Sequence, residues 1–124
     1  MAELFTPRSP EVVDRTTADV ELTSTSQTAI LTFTPVVDAA FTIKIMAVVK
    51  TATTDLTVTV TFTDSATGSS QTADSAAFTG SGTAVGVAWD TIHMPAQGGQ
   101  PVTVNATAGT ANQAYLRATA TADY

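Results

Sequence analysis

The stretch "DLTVTVTFTD", residues 55–64, decides the fold of this chain. Apolar residues and threonines alternate at every position from Leu56 to Thr63. Successive side chains of a β-strand point to opposite faces of its sheet, so this strand has one apolar face and one hydroxyl-bearing face. The stretch therefore predicts a strand that buries its apolar face in a core and presents threonines on the other side.

The composition of the whole chain agrees with a β protein. The 124 residues suit one domain, and threonine-rich sequence with only 13% charged residues is typical of strands and poor for helices. There is no cysteine, which excludes disulfides and thiolate metal sites. Five Lys and Arg against eleven Asp and Glu give a net charge of -6, which repels a phosphate backbone. Nucleic acid is therefore not an expected partner.

Strand signals recur at short intervals, separated by turn compositions. We predict an all-β protein, a single small β-sandwich or jelly roll of about seven or eight strands with an extended N-terminal arm. The last two strands are expected to pair as a hairpin through "GTANQ", residues 109–113. The predicted strands are residues 20–22, 29–33, 41–50, 55–64, 84–92, 102–108 and 114–122. The predicted core comprises Leu31, Phe33, Phe41, Ile43, Ile45, Leu56, Val58, Val60, Phe62, Val102 and Val104.

Residues 1–19 are predicted to be the arm and residues 20–124 the sandwich. Prolines in the arm remove backbone donors and disfavour a regular central strand, yet apolar residues remain that are normally buried against something. One interpretation is that the arm binds another chain, and the alternative is that it packs on its own domain or is loose at its tip. The predicted partner-binding residues of the arm are Leu4, Phe5, Pro7, Val12 and Val13.

A second partner surface is predicted on the strand at residues 41–50. Ile43 and Ile45 mark its core face, but Met46 and Val48 make part of the opposite face apolar as well. Apolar patches on a soluble sheet usually mark contact sites, so either a loop of the same chain or a neighbouring subunit is expected to cover them. A homo-oligomer is expected, with a trimer favoured.

The sequence contains few residues of the types that catalyse reactions or bind metal ions. His93 is the only histidine, and we expect it to lie in a loop beside a strand end with no catalytic role. No catalytic, metal-binding or cofactor-binding residue is predicted, and we expect no enzyme. Trp89 is open to two interpretations, a platform for stacking carbohydrate or a core residue, and its place in an alternating strand favours the core. No apolar run reaches the about 18 residues of a membrane span, so a soluble protein without an export signal is expected.

Three stretches carry a resemblance to a known class of proteins. They are "ILTFTPVVDAAFTIKIMAVV" at residues 30–49, "VTVTFTDSATGSSQT" at residues 58–72 and "PVTVNATAGTANQAYLRATA" at residues 101–120. Together they resemble small β-rich virion structural proteins of tailed bacteriophages and prophages. The resemblance is a pattern of strands and turns over most of residues 20–122, and it includes no catalytic signature. The loop region at residues 73–86 contributes nothing to it.

The resemblance implies a component of a phage particle. The function expected first is a capsid decoration protein on the capsid surface, which binds the major capsid protein or other virion proteins and reinforces the shell. The alternative is a receptor- or glycan-binding module of a tail fibre or baseplate. A bacterial adhesin or surface-layer fragment is third. No collagen-like or coiled-coil stalk is present, which argues mildly against a fibre.

Overall fold

A computed structural model describes residues 11–75, 78 and 82–123. Over these residues the chain forms strands and no helix, so the described part has no helix that is long and apolar enough to cross a membrane. The nine described strands are β1 (Glu11–Arg15), β2 (Val20–Glu21), β3 (Thr28–Phe33), β4 (Ala39–Val49), β5 (Leu56–Thr63), β6 (Ser70–Asp74), β7 (Gly86–Ala96), β8 (Val102–Ala108) and β9 (Ala114–Asp123).

The strands form two antiparallel sheets that pack face to face. Sheet A has the order β1-β9-β4-β7, and the short β2 also pairs with β9. Sheet B has the order β3-β8-β5-β6. Strands whose inner faces are apolar can bury those faces only against a second layer, which is why two sheets form around one core. The predicted all-β class and the small β-sandwich are confirmed.

The chain crosses between the sheets at most of its connections. Among the described strands, only β1–β2 and β5–β6 are consecutive in the same sheet. The predicted β8–β9 hairpin is wrong, because β8 pairs with β3 and β5 whereas β9 pairs with β4. Residues 109–113 instead turn a corner between the sheets: Gly109 N donates to Asp55 O, and Asn112, with φ 63°, donates from its N to Leu22 O, both at 2.8 Å.

The core lies between the two sheets, and it includes the predicted core residues together with others such as Leu22, Phe78 and Leu116. All eleven predicted core residues are buried, and the opening strand β5 alternates between buried apolar residues and more exposed threonines. The inner face of β9 is made almost entirely of small side chains, so sheet B can approach sheet A closely there. Its buried residues are Ala114, Leu116, Ala118, Ala120 and Ala122.

Two strands were not predicted from the sequence. β1 lies within the predicted arm and pairs with β9, with Val12 opposite Thr121 and Arg15 opposite Thr119. β6 lies in the Ser- and Thr-rich region and pairs with β5. Both are edge strands of five residues, and most of their side chains are exposed, so neither has the apolar alternation by which a half-buried strand is recognised.

Candidate functional site

The predicted partner-binding residues of the arm are described only in part. Leu4, Phe5 and Pro7 lie outside the described residues. Val12 and Val13 belong to β1, at the edge of sheet A, and both are exposed. A β-bulge between Val12 and Asp14 interrupts the pairing of β1 with β9. β1 therefore presents two apolar side chains on the surface of the sandwich.

Met46 and Val48 lie on the outer face of sheet A, as the sequence predicts. Both are partly buried, because the neighbouring strands supply long side chains beside them. Directly opposed residues of neighbouring strands share a face of the sheet. Met46 is opposite Trp89 on β7 and Arg117 on β9, and Val48 is opposite Val87 and Tyr115.

The same register corrects the prediction for Trp89. Its partner Met46 faces outward, so Trp89 also faces outward, and its side chain is 65% exposed. The inner positions of β7 belong instead to Ala88, Asp90 and the residues that follow at alternate positions. The strand has apolar residues on both faces, so alternation alone does not show which face is buried. Only the pairing of β7 with β4 shows which face of β7 is buried.

The exposed large apolar side chains of the described residues fall into two groups. One group lies on and beside β7 and comprises Val85, Val87 and Trp89. The other lies at the end of the sandwich where the chain enters β1. We call this second group the end patch, and it comprises Val12, Val13 and Val36, which line one surface depression, and Val37, which follows Val36 in the chain.

Two residues of the end patch, Val36 and Val37, lie on the loop between β3 and β4. Gly98 N donates to Asp38 Oδ1 at 2.7 Å, and Gly99 N donates to Pro35 O at 2.7 Å, so the β7–β8 turn supports this loop. A Cβ at Gly98 would lie 2.7 Å from Val37 Cα, which shows how closely the two loops pack. Val36 is 93% exposed at the tip of this supported loop. Val36 is therefore exposed on a loop that hydrogen bonds to the β7–β8 turn hold in place.

A groove crosses the outer face of sheet A. It has a volume of about 340 Å³, and its apolar lining comes from Val12, Met46 and Trp89. Its polar lining comes from Lys44, Arg117, Thr119 and Thr121. Val12 and Trp89 belong to the two outermost strands of the sheet order, β1 and β7, so the groove spans the width of the sheet.

Positive charge in the described residues is confined to sheet A and its margin. The cationic side chains there are Arg15, Lys44, Lys50 and Arg117, whereas the strands of sheet B contain neither Lys nor Arg. Arg117 pairs with Asp19, and Lys50 pairs with Glu21. The hydrogen bond and the charge of Asp19 raise the pKa of Arg117 above its usual range, so Arg117 stays charged.

Lys44 occupies the centre of this face. It is opposite Thr119, which is itself opposite Arg15, and on its other side it is opposite Thr91. No carboxylate of the described residues lies within ion-pair distance of Lys44 or Arg15. In a chain of net charge -6, this row is a local region of positive charge.

The outer face of sheet B has a different character. Thr59 and Thr61 of β5 are opposite Asn105 and Thr103 of β8, and threonines continue along both strands. These side chains make the face polar, and Asp74 of β6, opposite Thr59, is the one charged residue that the described strands of sheet B place on it. The two outer faces of the sandwich therefore differ, and the apolar and cationic side chains lie on sheet A.

His93 lies within β7 and not in a loop, so that prediction is wrong. Its side chain is exposed, and its Nδ1 is 3.0 Å from Thr42 Oγ1, which donates to Asp123 Oδ2 at 3.3 Å. A nucleophilic triad needs the carboxylate on the histidine, whereas Asp123 holds the threonine. Within the described residues, no group of three or more His, Cys, Asp or Glu is arranged to hold a metal ion.

We expect His93→Ala to leave folding and partner binding intact. The imidazole is exposed and makes one hydrogen bond at the surface, so its loss is expected to change the free energy of unfolding by about 1 kcal/mol or less. Chemical denaturation measures this effect. A hydrolytic activity that is present in the native chain and lost in His93→Ala would contradict the expectation that the protein is not an enzyme.

No protein-family model matches the chain, and no curated protein matches it. Among solved structures, it is similar to the N-terminal CBM22-1–GH10 modules of Clostridium thermocellum endo-1,4-beta-D-xylanase 10B, complexed with xylohexaose, with 13% identity and a TM-score of 0.41. The match covers 74% of this chain and 18% of the solved xylanase chain, so it spans less than a fifth of that chain. A similarity this low supports no inference about function.

Proposed function

We propose that this chain is a non-enzymatic structural protein of a tailed-bacteriophage virion, and specifically a capsid decoration protein. It binds the assembled shell through the N-terminal arm and contacts neighbouring subunits of its own kind. The proposal for a virion depends on the resemblance of the strand and turn motifs. The structural observation that carries the attachment proposal is the end patch, with four exposed valines where the chain enters β1.

Burial of the end patch would favour attachment. Fully burying one valine contributes about 1.5–3 kcal/mol, so a few valines give one copy a modest affinity after the cost of association. Val12 and Val13 follow the predicted arm residues Leu4, Phe5 and Pro7 in the sequence, with the four residues 8–11 between them, so the arm and the patch belong to one short segment of the chain. An oligomer that engages several such segments at once gains avidity without new contacts.

In this proposal, neighbouring subunits contact one another through the outer face of sheet A. Val48 and its cross-strand partner Val87 form an apolar pair at one end of that face, with Met46 beside them. A subunit packed there would cover the residues that the sequence assigns to a partner. A trimer is favoured, and its partners on the particle are the major capsid protein or other virion proteins.

The attachment proposal is tested by changing the end patch. We expect Val36→Asp, or deletion of residues 1–10, to leave a folded sandwich that binds assembled shells of the encoding phage at least about tenfold more weakly. Val36 is so exposed that a charge there costs little stability. The deletion ends before β1, so it removes no described strand of sheet A. Binding is measured by co-sedimentation with shells.

Val85→Asp is the matched control, because Val85 is an exposed valine outside the end patch. It introduces the same charge and should bind shells as the native chain does. Full occupancy by both Val36→Asp and the deletion variant would overturn attachment through the arm and the end patch. Copy number provides a separate test: hundreds of copies per purified particle support the capsid, and a handful would show that the protein belongs to the tail.

The second candidate is a receptor- or glycan-binding module of a tail fibre or baseplate. The observation that favours it is the outward-facing Trp89 in a groove with hydroxyl and cationic side chains. Purified tails that contain the protein while heads lack it would support this candidate over the first.

A further inference from the structure

Trp89 presents a flat, exposed apolar surface from a backbone position that is fixed within a β-strand. Its backbone belongs to β7, and its side chain has Met46 opposite it on the next strand. A large aromatic side chain that is 65% exposed leaves apolar area in contact with water, which is unfavourable unless a partner covers it. Its position at one end of the groove means that a ligand in the groove would lie against the indole.

The groove also supplies polar partners beside this surface. Lys44, Thr119 and Thr121 contribute an ammonium group and two hydroxyls to its lining. Binding sites commonly combine an apolar and aromatic surface with a few polar groups that fix orientation. The ligand that fits must therefore present an apolar face to the indole and hydroxyl or charged groups around its rim.

The charges of the groove restrict the ligand further. Lys44 has no carboxylate within ion-pair distance among the described residues, and Arg15 extends the positive row beyond Thr119. Arg117 also lines the groove but is paired with Asp19. The cationic row selects an anionic ligand, because opposite charge favours encounter and complementary pairing. A long nucleic acid does not fit, since the net charge of -6 repels a polyphosphate chain.

We propose that this groove binds an anionic saccharide. The C–H face of a sugar ring stacks on Trp89, the acidic substituent lies at Lys44, and the ring hydroxyls hydrogen-bond to Thr119 and Thr121. A volume of about 340 Å³ is at the small end of ligand pockets, which suits a short oligosaccharide segment. A carboxylate and a sulfate would satisfy the ammonium group equally, so the shared chemistry is a negatively charged sugar. The proposal does not depend on where in the virion the protein lies. It requires that a neighbouring subunit packs at the Val48–Val87 end of sheet A and leaves the groove open, because Met46 borders both surfaces.

Trp89 is the only tryptophan, so its fluorescence reports on the groove directly. The native chain is titrated with an oligogalacturonate, a heparin-derived oligosaccharide and a neutral cello-oligosaccharide of equal length. We expect a saturable fluorescence change with at least one acidic probe and about fivefold weaker binding of the neutral probe. The preference should shrink at high salt, which screens exposed charges.

Two variants with one control locate the site, with binding measured by calorimetry. Trp89→Ala should weaken binding of the acidic probe by about tenfold or more, because stacking on the indole is lost. Lys44→Gln should remove most of the preference for the acidic probe. Lys50→Gln is the matched control, since Lys50 pairs with Glu21 and is not part of the groove lining. It should bind as the native chain does.

Three results would overturn the saccharide proposal. The first is that neither acidic probe binds the native chain, and the second is that Trp89→Ala binds an acidic probe as tightly as the native chain. The third is that the native chain self-associates with Trp89 shielded from acrylamide quenching, which would make the groove an interface between copies. Val12 contributes to both surfaces, but the saccharide tests change Trp89 and Lys44 whereas the attachment tests change Val36 and residues 1–10, so the two proposals fail separately.

Discussion

Val60→Asp is expected to abolish folding of the chain. Val60 is fully buried at the centre of β5, opposite Val104 on β8 and Ala73 on β6. A carboxylate at this position would have to lose its water shell among apolar side chains, at a cost of several kcal/mol. The whole free energy of unfolding of such a domain is roughly 5–15 kcal/mol, so this one change removes much or all of it. Far-ultraviolet circular dichroism and denaturant titration measure the loss.

Thr57→Asp is the matched control for this change. Thr57 lies on the same strand but is exposed on the outer face of sheet B. A charge there stays in water, so the free energy of unfolding should change by less than about 1 kcal/mol. If Val60→Asp were as stable as Thr57→Asp, the assignment of the two faces of β5 would be wrong.

Phe41→Ala is expected to have the second largest effect, a loss of about 3–5 kcal/mol in the free energy of unfolding. Phe41 is buried near the start of β4, and its ring centroid lies 5.6 Å from that of Phe33 on sheet B. Truncation removes this contact between the sheets and leaves a cavity beside it. Because β4 pairs with both β7 and β9, a change here is transmitted to the centre of sheet A.

The control for Phe41→Ala is Val36→Ala, which truncates an exposed side chain in the loop that leads into β4. Its expected effect is within about 0.5 kcal/mol, because it removes little buried area. Denaturant titrations of the two variants should differ by several kcal/mol. Equal stabilities would show that Phe41 does not fill the space between the sheets.

The two proposed binding surfaces place different demands on the sandwich. The end patch depends on an anchored loop and on an edge strand, whereas the groove depends on the register of the strands in sheet A. The core requires only that apolar residues occupy the inward-facing alternate positions of each strand. The outward-facing residues of the two sheets can therefore differ without loss of stability. Sheet B shows threonines and the edge-strand carboxylate Asp74, whereas the described cations and the tryptophan lie on sheet A and its margin.

The sequence by itself determined the fold class and the core. Alternation with a period of two identified β5 and the inner face of β4, and the eleven residues predicted for the core are buried, whereas Trp89, for which alternation also favoured the core, is exposed. Alternation also placed Met46 and Val48 on the outer face of their strand, because they alternate with residues of the core face such as Ile43 and Ile45. These predictions succeeded because burial depends on local periodicity, which a single strand carries in its own residues.

Only the tertiary structure decided which strands pair and which surface each outer side chain joins. "GTANQ" has the composition of a hairpin turn, yet it connects two sheets, because pairing depends on contacts with residues distant in the chain. Trp89 has apolar neighbours on both faces of its strand, so its exposure followed only from its pairing with Met46. The groove likewise joins residues from β1, β4, β7 and β9, which are far apart in sequence. No local pattern encodes such a site, because strand register creates it only when the sheet forms.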